Sequence, residues 1–170
     1  MIRNVKPVSA ALAASLMLAL TGCSADGTAN QTAPAAAADQ LVEVTVSTAD
    51  GNKVFRVETA KTAAEQAEGL MYRADIPDDG GMLFHPYPPD GSAPREASFW
   101  MKNTPTPLDL IFIRPDGSIA RIAENAAPFS EAQIPSGEPV AAVLELKGGK
   151  AAENMISPGD RVRFAGGPRS

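Results

Sequence analysis

Leu108-Asp109-Leu110-Ile111-Phe112-Ile113 is apolar on both faces of any extended chain. Side chains alternate along a strand, so Leu108, Leu110 and Phe112 face one side and Asp109, Ile111 and Ile113 the other. A strand without a polar face has no place at a solvated edge and belongs at the centre of a sheet or inside a closed barrel. Asp109 is the exception within it, because a carboxylate on a buried strand needs hydrogen-bond or charge partners. Just before this run, residues 97–101 make a second strand that contains the chain's single tryptophan, Trp100. Between the two, Pro105 and Pro107 lack amide donors, so residues 102–107 form an irregular connection.

The same alternation places strands at residues 41–46 and 53–57, joined by the Asp50-Gly51 turn as a hairpin. Thr62 with Glu65 three residues later is a capping-box pattern, which starts a short helix over residues 63–71 with Ala64, Ala67 and Leu70 or Met71 on one face. Gly80-Gly81 turns into a brief strand at 82–84, and the proline-rich stretch 85–95 is a surface loop. Further strands are expected at 118–125, 140–147 and 161–164, with a loop over 126–139 and a short helix over 150–155. The expected domain is mainly β or α+β: a compact, small barrel-like antiparallel or mixed sheet of about seven or eight strands with two short helices.

Ahead of the domain, Arg3 and Lys6 precede an uncharged run over residues 8–20, which is too short to span a bilayer and ends at Thr21-Gly22-Cys23. Basic start, apolar middle and small-residue end describe a secretory signal over residues 1–22. Leu20-Thr21-Gly22-Cys23 resembles the lipobox of bacterial lipoproteins. That resemblance implies cleavage before Cys23, diacylglycerol on its sulfur, and a further acyl chain on the new amino terminus, with Ser24 favouring the outer membrane. Residues 23–39 contain no large apolar side chain and read as a lipidated, flexible tether. The domain is expected over 40–165, with a frayed tail at 166–170.

Composition excludes several functions. Of 15 basic residues, Arg3 and Lys6 leave with the signal, against 20 acidic ones, a balance unsuited to neutralising phosphates, so nucleic acid is not an expected partner. One cysteine, Cys23, and one histidine, His85, rule out a disulfide framework, a zinc site of the usual kind and a Cys-His nucleophile in the domain. Gly80-Gly81 and Gly148-Gly149 lack the spacing of a phosphate-binding loop, and no serine sits in a nucleophile elbow.

Several ordered motifs resemble the domain of unknown function 192 family: Gly69-Leu70-Met71-Tyr72-Arg73, Gly81-Met82-Leu83-Phe84, Phe99-Trp100-Met101-Lys102-Asn103-Thr104, Pro107-Leu108-Asp109, Val143-Leu144-Glu145-Leu146 with Gly148-Gly149, and Gly159-Asp160. The resemblance covers residues 40–164 and implies a compact β-rich single domain, often carried behind a secretion or lipoprotein signal. It implies no activity, since the family has none established, and hence no catalytic assignment. The departure in this chain is the proline-rich insertion at 85–95.

The charged motif residues are Arg73, Lys102, Asp109 and Glu145. Asp109 and Glu145 are expected to accept hydrogen bonds from Arg73, Lys102 or loop amides, pinning the segment after Trp100. The leading functional expectation is a non-enzymatic envelope lipoprotein without cofactor, held to the membrane by lipid on Cys23 and facing the periplasm. Its small ligand or envelope protein partner would sit in a cleft lined by Trp100, Asn103, Asp109, Arg73 and Glu145. The alternative is a hydrolase of cell-wall or saccharide material with Asp109 and Glu145 as acid and base. A third is Cu(I) binding through Met71, Met82, Met101 and His85, against the ordinary use of methionine as core filler. Phe84, Tyr87, Phe99 and Trp100 flank the proline-rich loop and are either core or an aromatic platform for a sugar or an apolar ligand.

Overall fold

The structure, a computed structural model, describes residues 41–168. The signal, the tether and Cys23 lie outside the described residues, as do Arg169 and Ser170. Nine strands and two helices follow in the order β1 Val42–Thr48, β2 Gly51–Ala60, α1 Ala63–Glu68, β3 Gly81–Phe84, β4 Arg95–Phe99, β5 Leu108–Ile113, β6 Ile119–Ala126, β7 Ile134–Val140, β8 Ala142–Lys147, α2 Lys150–Glu153 and β9 Arg161–Phe164.

Seven strands form one mixed sheet in the order β6-β5-β8-β3-β2-β1-β9, parallel only between β2 and β3, and β4 with β7 forms a separate ribbon. The large sheet curls into a half-barrel. Its outermost strands, β6 and β9, meet at one end through a Ser118–Arg161 bridge and hydrogen bonds from Ile119 N to Asp160 O and from Val162 N to Gly117 O, both 2.8 Å. Strand β5 lies inside the sheet, flanked by β6 and β8, and all six of its residues are buried, as its two apolar faces require.

The two faces of the sheet carry two cores. Inside the curl, Val44, Phe55, Leu83, Ile111, Leu144, Val162 and their neighbours pack together. On the outer face Met82, Phe84, Leu108, Leu110, Phe112 and Val143 pack beneath Leu70, Ile76, Ala97 and Met101. Burial of each such large side chain contributes about 1.5–3 kcal/mol, so the outer cover is as integral to the fold as the curl. Gly81 is required where β3 meets β8: a Cβ there would stand 2.1 Å from the carbonyl oxygen of Glu145.

Three sequence expectations are corrected. Residues 134–140, expected within a loop, form β7. Its Pro135 and Pro139 pair with Ser98 and Glu96 in a two-stranded ribbon, where a missing amide costs little. Helix α1 ends at Glu68, and Ala64 and Ala67 are exposed, so only the following Leu70 is buried. Strand β4 ends at Phe99, which leaves Trp100 just beyond it. After β9, Gly166 O lies 3.1 Å from His85 Nε2 and Gly167 N donates to Phe164 O (3.1 Å). Among the described residues no helix is long and apolar enough to cross a membrane.

Candidate functional site

Asp109 and Glu145 separate at the level of strand register. Asp109 stands opposite Leu146 and Glu145 opposite Leu110, so the two carboxylates project from opposite faces of the sheet. Asp109 points to the inner-core side, where Oδ1 accepts from Asn125 N (2.8 Å) and Gly149 N (3.1 Å) and Oδ2 accepts from Ala151 N (2.7 Å). It pins the start of α2 to β5 and β6, and its partners are backbone amides of strand β6 and of the first turn of α2, not Arg73, Lys102 or a set of loop amides. Arg73 instead makes a two-pronged ion pair with Glu58, both bonds 2.9 Å. Lys102 Nζ stands 4.0 Å from Glu131 and 5.1 Å from the centre of the Trp100 ring. An acid-base pair of Asp109 and Glu145 acting on one substrate is therefore not present.

Glu145 is only 4% exposed, and no hydrogen bond reaches its carboxyl from the described residues. Burial pushes its pKa up to about 8, so the side chain is mostly a neutral acid at pH 7. It borders a cavity of about 30 Å³, together with Gln66, Gly69, Phe84, Phe99, Trp100 and Thr104. Gln66 is aimed there by local structure. The Thr62–Glu65 capping box starts α1, with Glu65 N donating to Thr62 Oγ1 (3.2 Å) and Thr62 N to Glu65 Oε2 (2.8 Å). One turn on, Gln66 Nε2 donates to Ala60 O (3.0 Å) and Pro86 O (2.8 Å), clamping the amide between the end of β2 and the loop after β3. Its Oε1 is left buried without a partner, which costs about 1–3 kcal/mol unless something fills the cavity.

Adjacent to the cavity, a wider groove of about 320 Å³ shares Gln66, Ala67, Phe99 and Trp100 with it and adds Tyr87 and Arg95. The aromatics are mutually braced: Phe99 stands edge-on to Phe84 at 5.1 Å and lies 6.0 Å from Tyr87. Trp100 is 41% exposed. Three non-glycine residues nearby hold left-handed backbone, Tyr72 (φ 63°), Asn103 (φ 54°) and Phe129 (φ 58°). Tyr72 N donates to Asn103 O (2.8 Å), Phe129 N to Thr104 O (3.1 Å), and Asn103 Nδ2 to the Tyr72 hydroxyl (2.9 Å). Two loops are thus tied to the segment after Trp100, and backbone of this kind clusters at functional sites. Asn103 serves this tie.

Of the sequence candidates, then, the cleft brings together Trp100 and Glu145 and leaves Asp109, Arg73 and Asn103 in other roles. Gln66 was missed because a glutamine within a helix-favouring run carries no signal of its own; only its place one residue after the capping-box glutamate hinted at its position. Met82 and Met101 are buried in the outer core, and Met71 Sδ lies 3.9 Å from Asn103 Nδ2. His85 has both ring nitrogens near carbonyl oxygens, Ala141 O at 3.3 Å and Gly166 O at 3.1 Å. Among the described residues no three His, Cys, Asp or Glu side chains converge as a metal site.

Fold and cleft define a mainly β, half-barrel domain with an aromatic-walled, polar-floored recess. The chain belongs to the DUF192 family (Uncharacterized ACR), whose model matches residues 44–164. Similar crystal structures include these two. A protein of unknown function from Novosphingobium aromaticivorans DSM 12444 is 43% identical, with 85% of this chain and 99% of that one covered and a TM-score of 0.69. A protein described as a "putative transcription regulator" from Sinorhizobium meliloti 1021 is 46% identical, with 74% of this chain and 94% of that one covered and a TM-score of 0.68. No curated protein matches the chain.

Proposed function

We propose that this protein is an envelope lipoprotein, anchored by lipid on Cys23 and facing the periplasm, whose domain binds a small ligand in the Trp100 cleft without transforming it. The anchor reading is supported by the basic start, apolar run and Leu20-Thr21-Gly22-Cys23 ending of residues 1–23. The observation that carries the binding reading is the floor of the cleft, where a buried acceptor without a partner, Gln66 Oε1, and an isolated buried carboxyl, Glu145, border one recess beneath Trp100. Convergent polar groups in an aromatic recess are the usual make-up of a ligand site. Catalysis is not part of the proposal, because Asp109 lies across the sheet from Glu145, so the two embedded acids cannot serve one substrate, and Glu68, the other carboxylate bordering the recess, is exposed to solvent. Nor is nucleic acid: a chain with 15 basic and 20 acidic residues lacks the charge that phosphate binding calls for.

The test is retention of small molecules from a bacterial envelope extract by the full chain, read by mass spectrometry after gel filtration. A compound held by the wild type and released by both Trp100→Ala and Glu145→Leu supports the reading. Equal retention by all three proteins, or none by any, contradicts it.

A further inference from the structure

The chemistry of the cleft narrows the ligand, on the premise that the cleft binds one. Its deep end is small: about 30 Å³ holds one or two water-sized groups and no ring. The groove above it, about 320 Å³, is at the lower end of the range for small-molecule sites and is walled by Trp100, Phe99 and Tyr87. A ligand that fits both parts has a ring-sized body with a short polar projection.

Charge argues against a cationic projection. Arg95 lines the groove and Lys102 Nζ stands 5.1 Å from the Trp100 ring centre, so an ammonium would enter past two positive groups. To pair with it, Glu145 would first have to give up its proton inside a buried recess, a desolvation cost that a neutral group does not impose. An anionic projection fares worse, because Gln66 Oε1 can only accept and Glu68 borders the same recess. A hydroxyl meets every condition. It donates its one proton to Gln66 Oε1 and accepts from the acid proton of Glu145. Body and projection together then require a ring rich in C–H on its faces and hydroxyls on its edge, lying against exposed aromatic rings. Trp100, 41% exposed, presents such a ring in the groove beside Phe99 and Tyr87.

We propose that the cleft binds a neutral saccharide, one hydroxyl or hydroxymethyl group seated between Gln66 Oε1 and the Glu145 carboxyl and the ring lying in the groove along Trp100 and Phe99. Because Trp100 is the chain's single tryptophan, its emission reports on this site alone.

The experiment titrates the full chain, free of sugar-based detergent, with N-acetylglucosamine, its tetramer, cellotetraose and maltotetraose up to roughly 50 mM, and in parallel with cadaverine and indole, following Trp100 emission. At least one saccharide is expected to change emission saturably. Glu145→Gln, which keeps a donor and an acceptor, should bind within about threefold of wild type, whereas Gln66→Leu and Glu145→Leu should each weaken binding by about tenfold or more. Circular dichroism melts confirm that the variants are folded, and a variant that does not fold is replaced by Gln66→Met or Glu145→Met. Saturation by cadaverine or indole with no saccharide response overturns the ligand class and leaves the binding site standing. No response to any probe overturns both. Wild-type saccharide affinity in the Gln66 and Glu145 variants, as expected if those two groups simply hydrogen-bond each other, overturns the assignment of the deep recess.

Discussion

Glu145→Gln should gain stability relative to the native protein as pH rises from acid to alkaline. The native carboxyl is held near pKa 8 by burial alone, against an ordinary value of 4.5. Below pH 4.5 the side chain is protonated in both folded and unfolded chains, and its titration contributes nothing. Between 4.5 and 8 the unfolded chain ionises while the folded one keeps its proton, so the folded state binds more protons and stability falls as pH rises. The fall is about 1.4 kcal/mol per pH unit, or about 5 kcal/mol in total by pH 8, after which both states are ionised and the loss is complete. The amide of the Glu145→Gln variant has no such titration. Urea unfolding of both proteins at pH 4, 6, 8 and 9, followed by circular dichroism, should show a constant gap in acid that widens in favour of Glu145→Gln by several kcal/mol up to pH 8 and then levels. The difference cancels every other titrating group. A gap that stays constant from pH 4 to 9 would show that Glu145 keeps an ordinary carboxylate's affinity for protons, and would remove its status as an isolated buried acid.

Other expectations follow from single contacts. Asp109→Asn turns three amide-to-carboxylate hydrogen bonds into fewer and weaker ones, and should cost about 2–4 kcal/mol in urea unfolding while leaving saccharide titrations of Trp100 emission unmoved. Gly69→Ala forces a side chain into left-handed backbone (φ 51°) with its Cβ 3.0 Å from Phe84 Cζ and 3.9 Å from Glu145 Oε2. It should cost about 1–3 kcal/mol and narrow the recess, weakening ligand as well as lowering the melting temperature. Thr62→Ala removes the α1 cap, costing about 1 kcal/mol and loosening Gln66, which hydrogen exchange at the α1 amides would register. Cys23→Ser should abolish partition into detergent and the mass increment of lipidation in a bacterial host; unchanged partition would refute the anchor.

How much was legible in the sequence depended on whether each signal was local. The strand at Leu108–Ile113 was legible because six consecutive side chains exclude every solvated position, and the capping box was legible because its two partners lie three residues apart. Strand β7 was hidden by Pro135 and Pro139, which are tolerated only because β7 pairs with a single partner, β4. Both embedded acids were visible as anomalies, but their opposite roles were not. Asp109 finds three amides because its face meets α2, while Glu145 finds none because its face meets an aromatic cover, and that difference is set by pairing across β5 and β8. Arg73, Lys102 or loop amides were the expected partners of the motif carboxylates, whereas Arg73 pairs with Glu58 on β2, outside the motifs. Gln66 depends on two carbonyls, one of them twenty residues away, and no pattern in the sequence announces it.

Trp100 and Gln66 are held to face one ligand in one recess, and everything proposed for the cleft depends on that. The most direct measurement is an NMR spectrum of the nitrogen-15 labelled full chain with and without an envelope metabolite extract, following the Trp100 indole N–H and the Gln66 side-chain amide. Both resonances are expected to move together, with Thr104 and Gly69, while the Gly149 and Ala151 amides bonded to Asp109 stay fixed. Shifts centred on Asp109 and α2, or movement of Trp100 without Gln66, would contradict it.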